Sequence, residues 1–269
     1  MDAGPIRLSG ADLLIAAGLI LINGALSLAL GLGLERRLLV ASARTVVQLL
    51  LIGYLLNFIF SLRHPGWVLL LGLAMVAMAG QAAVGRVGGR FRGIYAGSVL
   101  SILVSSFAVT GVAVAFIVQP RPWYEPQYVI PLLGMILGNT LNGISLGLDR
   151  FLEGLARRRD QVEGLLALGA TRWEAARDVI RDAVRTGMVP TLNSMMVVGL
   201  VSLPGMMTGQ ILAGAAPADA VRYQIVIMFM IAAATALGTL GAVAFAYRSL
   251  LDGFHRLRLD RLHRAGEEP

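Results

Sequence analysis

Seven long apolar stretches constrain this sequence more than any other feature. They cover residues 11–33, 38–62, 66–84, 95–118, 128–149, 190–213 and 223–247. A helix needs about 20 predominantly apolar residues to cross a bilayer, because its backbone polar groups find no water there and must bond within the helix. The sequence therefore predicts an all-α polytopic membrane protein with about seven transmembrane helices, built as a single transmembrane domain over residues 1–269.

The composition supports this class and excludes several chemistries. Hydrophobic residues make up 57% of the chain and charged residues 14%, whereas about 25% of a soluble domain is charged. The absence of cysteine excludes disulfides and thiolate-bound metals. All 23 basic residues are arginine. Without lysine the chain has neither the P-loop lysine that contacts nucleotide phosphates nor a Schiff-base lysine.

The arginines predict the orientation in the membrane. Eighteen fall in the connecting segments of one side and four on the other side, with one more inside a span. The four on the sparse side are Arg7, Arg63, Arg121 and Arg222. Because cytoplasmic loops carry the excess of basic residues, the N-terminus is expected outside and the C-terminus in the cytoplasm. The net charge of +7 is then explained by the arginines that orient the chain in a lipid bilayer, and no nucleic-acid partner is expected.

The only sizeable segment outside the spans is residues 150–189, on the arginine-rich side. Its apolar residues recur at helical spacing. Gly169 is suited to end one helix, and Thr171 to cap a second that runs from Trp173 to Val184 and ends before Pro190. Such a helical hairpin either rests on anionic lipid or docks a cytoplasmic partner, and periodicity alone leaves both open.

The residue order in this loop resembles the coupling loop of ABC-transporter permeases. In that family a short helix sits in a groove of the ATP-binding subunit. The family's usual Glu-Ala-Ala is replaced here by Glu163-Gly164-Leu165. The resemblance implies that the residues coupled to the ATPase are Glu163, Leu168, Gly169, Ala170, Thr171 and Trp173.

Other segments extend the resemblance over about residues 40–248. They read Arg44-Thr45-Val46-Val47-Gln48-Leu49, Pro131-Leu132-Leu133-Gly134-Met135 and Leu203-Pro204-Gly205-Met206-Met207-Thr208-Gly209. Together they resemble the FetB (YbbM) family of ABC-transporter permeases, whose bacterial members are described as metal exporters, specifically for iron. Plant members are linked to aluminium tolerance. The family implies a multi-pass protein of the bacterial inner membrane that works as a homodimer in iron homeostasis. It also implies a separate ATP-binding subunit that holds ATP and Mg²⁺, so that this chain binds no cofactor and is no enzyme.

Pro204 and Gly205 lie near the middle of the sixth stretch. Proline removes a backbone hydrogen bond, and transporters place such breaks at binding sites and hinges. A packing kink is the alternative, because both residues are common in spanning helices. Met206, Met207 and Gln210 follow the break directly. Thioethers suit soft metals, but methionine also fills apolar cores, and no metal-binding residues are assigned.

Polar residues inside spans are the remaining candidates for a substrate path. Arg44 is the only charge well inside a span, where it is either functional or extends to the surface. Gln48 lies one turn further on. Asn139 and Asn142 on the fifth stretch are expected to face the path, although such amides also join helices. Glycine pairs at four-residue spacing are interpreted as packing faces; they are Gly93/Gly97, Gly134/Gly138, Gly143/Gly147 and Gly205/Gly209.

The leading hypothesis is the membrane subunit of an ATP-driven ABC exporter, moving iron or another metal. An ABC permease for a non-metal solute, such as a nucleotide sugar, is the alternative. A stand-alone secondary transporter would need a buried titrating carboxylate or an inverted repeat, and neither is found. An intramembrane enzyme would need a nucleophile with its base or paired histidines, and no predicted span contains histidine.

Overall fold

The computed structural model describes residues 9–62 and 64–264 and divides the chain into two compact units. One unit contains residues 9–62 together with Gly209–Ala216, and the other contains His64–Thr208 together with residues 217–264. Arg7 and Arg63, which were counted on the predicted outer side, lie outside the described residues. Each unit is considered by itself below.

The first unit is built on a pair of helices, α1 (Gly10–Ala29) and α2 (Glu35–Leu62). Ser9 caps α1, since its hydroxyl accepts from the backbone N–H of Asp12 while the Asp12 carboxylate accepts from the N–H of Ser9. The turn into α2 is closed by Ser27, whose hydroxyl donates to the Glu35 carboxylate at 2.9 Å. Most other side chains of the two helices are exposed, and Ile59 is buried.

The second unit is a bundle of helices. Its long members are α3 (Pro65–Gly85), α4 (Ile94–Val112, extended by a π-helical turn over Ala113–Val118), α5 (Pro126–Arg157), α7 (Arg172–Val197) and α9 (Pro217–Leu250), with the short α6 (Arg159–Ala167) before α7. The main core lies where α3, α4, α5, α7 and α9 pack together, around fully buried residues such as Ile102, Ile144 and Phe151.

The all-α polytopic class is confirmed. Among the described residues, six helices are long and apolar enough to cross a membrane: α1, α2, α3, α4 with its π-helical turn, α5 and α9. They match six of the seven predicted stretches to within a few residues, apart from the ends of α5 and α9, which extend further. No membrane side is defined by the coordinates, so the orientation stays a prediction.

The stretch over 190–213 is not a continuous spanning helix. Its first part belongs to α7, which continues through Pro190 instead of ending before it. The chain then leaves the helix at Val198 and turns at Gly199, whose φ is +83°. A short helix, α8 (Gly205–Leu212), follows. The prediction of seven continuous spans was wrong at this position, because a left-handed glycine and a proline interrupt the backbone hydrogen bonds within 6 residues of each other.

Glycines allow close contact between helices of the second unit. A Cβ at Gly143 of α5 would lie 2.5 Å from Thr235 Cγ2 and 3.1 Å from the carbonyl oxygen of Gly187, and a Cβ at Gly97 would lie 2.2 Å from Phe245 Cδ1. A Cβ at Gly138, Gly205 or Gly209 would meet nothing within 4 Å. The four-residue glycine spacing therefore marks packing faces at Gly97 and Gly143, but not at every predicted pair.

The segment that follows α9 is ordered by pairing as far as Arg264. Strand β1 (Gly89–Arg90), between α3 and α4, pairs antiparallel with strand β2 (His263–Arg264). A single 3₁₀ turn, Leu259–Arg261, precedes β2. We call residues 251–264 the C-terminal hook. Partners distant in the sequence hold this segment in place, as the pairing of His263 with Arg90 shows.

We predict that Gly143→Ala lowers the free energy of unfolding by about 1–3 kcal/mol, since the added methyl group overpacks a contact that includes backbone. Thermal unfolding of the purified protein in detergent measures the change. The control is Gly138→Ala on the same helix, which adds its methyl group in open space and gains helix propensity. Equal unfolding temperatures for the two variants would contradict the packing assignment.

Candidate functional site

A cavity of about 360 Å³ lies within the second unit, between α5, α7, α9 and the start of α8. Its lining mixes thioethers and apolar side chains with a few polar groups. The thioethers belong to Met135, Met206 and Met228, and the polar side chains to Asn139, Thr191, Ser194 and Gln224. A largely apolar cavity with a few convergent polar groups is the usual form of a small-ligand site.

The interrupted chain before α8 forms part of the cavity wall, through Pro204 and Gly205. The interruption is itself ordered, because the N–H of Gly199 donates to the Ser202 carbonyl at 2.9 Å. Pro204 then precedes α8, and its carbonyl accepts from the N–H of Thr208 at 3.1 Å. Irregular backbone is tolerated at membrane depth where it lines a cavity, and this segment does so.

Gln224 is the most unusual polar group of the cavity. Its side chain is only 6% exposed, and its amide oxygen has no hydrogen-bond partner among the described residues. The Asn139 amide nitrogen, in contrast, donates to the Met135 carbonyl at 2.9 Å on the same helix. A buried acceptor that stays without a partner costs about 1–3 kcal/mol, and Gln224 is one of the residues that line the cavity.

The donors of the cavity are electrically neutral. Amide and hydroxyl oxygens and thioether sulfurs can contact a cation weakly, and thioethers favour soft metals. Within residues 9–62 and 64–264, no group of three or more histidine or carboxylate side chains is placed to hold a metal ion. The cavity therefore offers only neutral donor atoms of amides, hydroxyls and thioethers.

The predicted path residues divide between several places. Asn139, Pro204, Gly205 and Met206 line the cavity. Asn142 does not line it, because its side chain accepts a hydrogen bond from the Arg86 guanidinium. Met207 is buried but is not part of the lining.

The remaining three path residues belong to the first unit. Arg44 and Gln48 lie on α2 with exposed side chains. The amide oxygen of Gln210 is buried and has no hydrogen-bond partner among the described residues. Whether any of the three contacts a solute stays a prediction.

The predicted coupling turn has the local structure that its sequence indicates. Gly169 has φ +91°, and the N–H groups of Ala170 and Gly169 donate to the carbonyls of Leu165 and Leu166 at 3.0 and 3.1 Å. These two bonds end α6 in a Schellman motif. Thr171 then caps α7 in a capping box with Glu174. Helix, turn and helix are thus confirmed, whereas contact with an ATPase stays a prediction.

The turn presents apolar side chains on a charged hairpin. Leu168 is 87% exposed and Trp173 is 53% exposed, while Glu163 pairs with Arg159 at 2.9 Å one turn earlier. The backbone N–H of Thr171, and then its hydroxyl, hold the pKa of Glu174 below its ordinary value. The capping box is therefore complete at neutral pH and is lost only as the pH falls through that lowered pKa.

The beginning of α7 is fastened to the end of α9 and to the C-terminal hook. The backbone N–H of Arg172 donates to His255 Nδ1 at 2.9 Å, and its guanidinium donates to the Leu251 carbonyl at 3.3 Å. That guanidinium also lies 5.6 Å from the ring centre of Tyr247. The ring of Trp173 packs edge-on against the same tyrosine, with 6.1 Å between the ring centres. The turn and α9 are thereby joined by several independent contacts.

Residues 10–251 match the Uncharacterised protein family (UPF0014). The chain belongs to this family. The UPF0014 membrane protein slr1647 of Synechocystis is 41% identical over 96% of this chain and 99% of its own length. The probable iron export permease protein FetB of Escherichia coli is 34% identical over 86% of this chain and 88% of its own. Protein ALUMINUM SENSITIVE 3 of Arabidopsis thaliana is 33% identical over 89% of this chain and 86% of its own length. No solved structure matches the chain.

Membership of UPF0014 confirms the family resemblance found in the sequence, since FetB is among the relatives. The matched residues 10–251 include the cavity and the α6–α7 turn, but they stop at the first residue of the C-terminal hook. The protein is thus a membrane protein of this family, and its site must be argued from its own residues.

Several residues of the site were missed by sequence reasoning. Gln224 is not among the predicted path residues, although a polar side chain in a predicted span is itself a signal. Thr191 and Met228 carry no comparable signal. His255 lies beyond the last span and contacts Arg172 across 83 residues, a pairing that no local pattern indicates.

We predict that Gln224→Leu raises the free energy of unfolding by about 1–3 kcal/mol, because it removes a buried acceptor without a partner. Thermal unfolding in detergent measures this. Gln81→Leu, at an exposed position on α3, is the control and should change little. A lower unfolding temperature for Gln224→Leu would show instead that the amide is bonded in the folded protein.

Proposed function

We propose that the protein is the membrane permease subunit of an ATP-driven ABC exporter for iron or another metal, located in the bacterial inner membrane. ATP and Mg²⁺ bind to a separate cytoplasmic subunit, and two copies of the permease form the transport path. The metal and the outward direction follow the name of the relative FetB. The proposal is supported by the six long apolar helices and by the family.

One observation carries the proposal: α9 connects the cavity with the exposed turn. Near its start α9 contributes Gln224 and Met228 to the cavity. Near its end it contributes Tyr247, which contacts both Arg172 and Trp173 at the beginning of α7. A rigid helix passes displacement along its length, so force applied to the turn reaches the cavity. A passive lipid-bound hairpin would need no such connection.

The exposed turn is the surface proposed to meet the ATP-binding subunit. Leu168 and Trp173 supply large apolar side chains, and Gly169 and Thr171 hold them on a turn closed at both ends by hydrogen bonds. Such preorganisation lowers the entropy cost of binding. ATP binding would move the partner, and the turn would transmit that movement to α9.

The neutral cavity constrains how a metal is carried. An isolated Fe²⁺ or Fe³⁺ ion loses its hydration on entering, and carboxylate or imidazole ligands would normally compensate. Amide oxygens and thioethers compensate less. Cargo contacts are therefore weak and brief, or the metal travels as a chelate whose own ligands carry the charge. The chelate is also the form closest to the alternative of a non-metal solute.

We predict that Gly169→Pro and Thr171→Arg uncouple transport from ATP hydrolysis while leaving expression intact. Proline fixes φ near −65° and lacks the N–H that closes the Schellman motif, and arginine removes the cap of α7. ATP hydrolysis and ATP-dependent iron efflux are measured in proteoliposomes that contain both subunits. Gly164→Ala, which adds a methyl group in open space on α6, is the control. Normal coupling in both variants would refute the role of the turn.

A second prediction concerns the hydrogen bond between His255 and Arg172. His255 has φ +56°, a conformation that asparagine and glycine tolerate. His255→Asn supplies an acceptor near the position of Nδ1 and should retain coupling. His255→Gly keeps the backbone freedom without the acceptor, and should lower coupling while the partner still binds. Copurification of the partner separates binding from coupling. Equal coupling in the two variants would exclude transmission through this bond.

A further inference from the structure

A basic cleft of about 840 Å³ lies beside the paired strands β1 and β2 and is not used by the proposed transport function. The loop between α3 and α4 contributes Arg90 and Arg92. The C-terminal hook contributes Asp260, Arg261 and His263. The cleft therefore brings three arginines and a histidine together from segments that are distant in the sequence.

The single carboxylate of the cleft is already neutralised. Asp260 accepts two hydrogen bonds of 2.9 Å from the guanidinium of Arg258, which does not line the cleft. That pairing holds the pKa of Asp260 below its ordinary value. The three arginines are thus not balanced by a free acid among the residues that line the cleft.

Two of the guanidinium groups are fixed by backbone carbonyls. Arg90 donates to the carbonyls of Val87 at 2.6 Å and Gly89 at 3.1 Å, and Arg261 donates to the carbonyl of Ser249 at 3.0 Å. A guanidinium has five N–H donors, so each keeps donors for a ligand. Arg92 is exposed and has no hydrogen-bond or ion-pair partner in the part of the chain that the structure describes.

The strand register adds an independent observation. Arg90 and His263 lie directly opposite each other in the antiparallel pair, and no hydrogen bond joins their side chains within the described residues. Directly opposed side chains that can both carry positive charge do not stabilise a strand pair. An anion between them would stabilise the strand pair, and it would also accept hydrogen bonds from the free donors of the neighbouring arginines.

The position of the cleft indicates which anion. The cleft is lined by the loop that follows the end of α3 at Gly85 and precedes the start of α4 at Ile94, and by Ser249 in the last turn of α9. The ends of spanning helices lie at the level of the lipid headgroups. Basic pockets between helix ends on the cytoplasmic side bind anionic headgroups, and guanidinium groups bind phosphate through two parallel hydrogen bonds.

We propose that this cleft binds the phosphate of an anionic phospholipid headgroup. The lipid would join the loop between α3 and α4 to the C-terminal hook, and so stabilise the β1–β2 pair. The residues of this site are not those assigned to the cavity, to the α6–α7 turn or to the His255–Arg172 bond, so the site can be tested separately from the transport proposal.

The test is a titration of the purified full chain in detergent with phosphatidylglycerol or phosphatidylcholine of identical acyl chains, followed by native mass spectrometry. We expect phosphatidylglycerol to bind more tightly. Arg92→Gln should weaken its binding about fivefold, the effect of one basic residue near a lipid surface. Arg92→Lys should retain most of it. Arg92 is exposed and makes no hydrogen bond or ion pair within the described residues, so the variant is expected to fold.

The matched control is Arg121→Gln, at an exposed arginine between α4 and α5, which should leave binding unchanged. Inorganic phosphate forms a separate arm of the experiment, with thermal unfolding as the readout. Equal binding of the two lipids would overturn the proposal, as would equal weakening by Arg121→Gln and Arg92→Gln. Stabilisation by inorganic phosphate that depends on Arg92, without any preference for phosphatidylglycerol, would assign the cleft to soluble phosphate and overturn the lipid assignment.

Discussion

The second unit depends on the close packing of Thr239 against two other helices. A Cβ at Gly147 of α5 or at Gly187 of α7 would lie 2.6 or 2.7 Å from Thr239 Cγ2, so only glycine fits at either position. In a bilayer the hydrophobic effect gives helices little reason to associate, and association relies on such close contact between small residues. This junction holds α5, α7 and α9 together. Along α9, the cavity lies before the junction and the contacts with the α6–α7 turn lie after it.

The position of α9 explains how a distant site and surface could act together in the proposed function. Gln224 lies in the part of α9 before the junction and Tyr247 in the part after it. Because Thr239 is enclosed between two backbones, α9 cannot shift without moving the helices around it. Displacement of the turn is therefore expected to change the cavity through movement of packed helices, and no separate signalling residue is required.

The polar groups of the bundle are also instructive. Besides Gln224, several buried hydroxyls lack a hydrogen-bond partner among the described residues, including those of Thr140, Thr235 and Thr239. Their methyl groups fill the space above glycines, so packing explains these threonines. No glycine contact explains Gln224, and its carboxamide faces a cavity. Contacts with glycines thus explain these threonines, whereas Gln224 has no such contact and lines the cavity.

The sequence by itself determined the membrane class, six of the spans and the α6–α7 turn. These features depend on local chemistry: the length of an apolar run, the left-handed conformation of Gly169 and the capping hydroxyl of Thr171. The tertiary structure decided which amide reaches the cavity, that Asn142 bonds to Arg86 instead, and that His255 and strand β2 fasten the segment after α9. It also showed that residues 190–213 do not form one helix. These contacts join residues tens of positions apart, and helix packing, which no local pattern encodes, selects them.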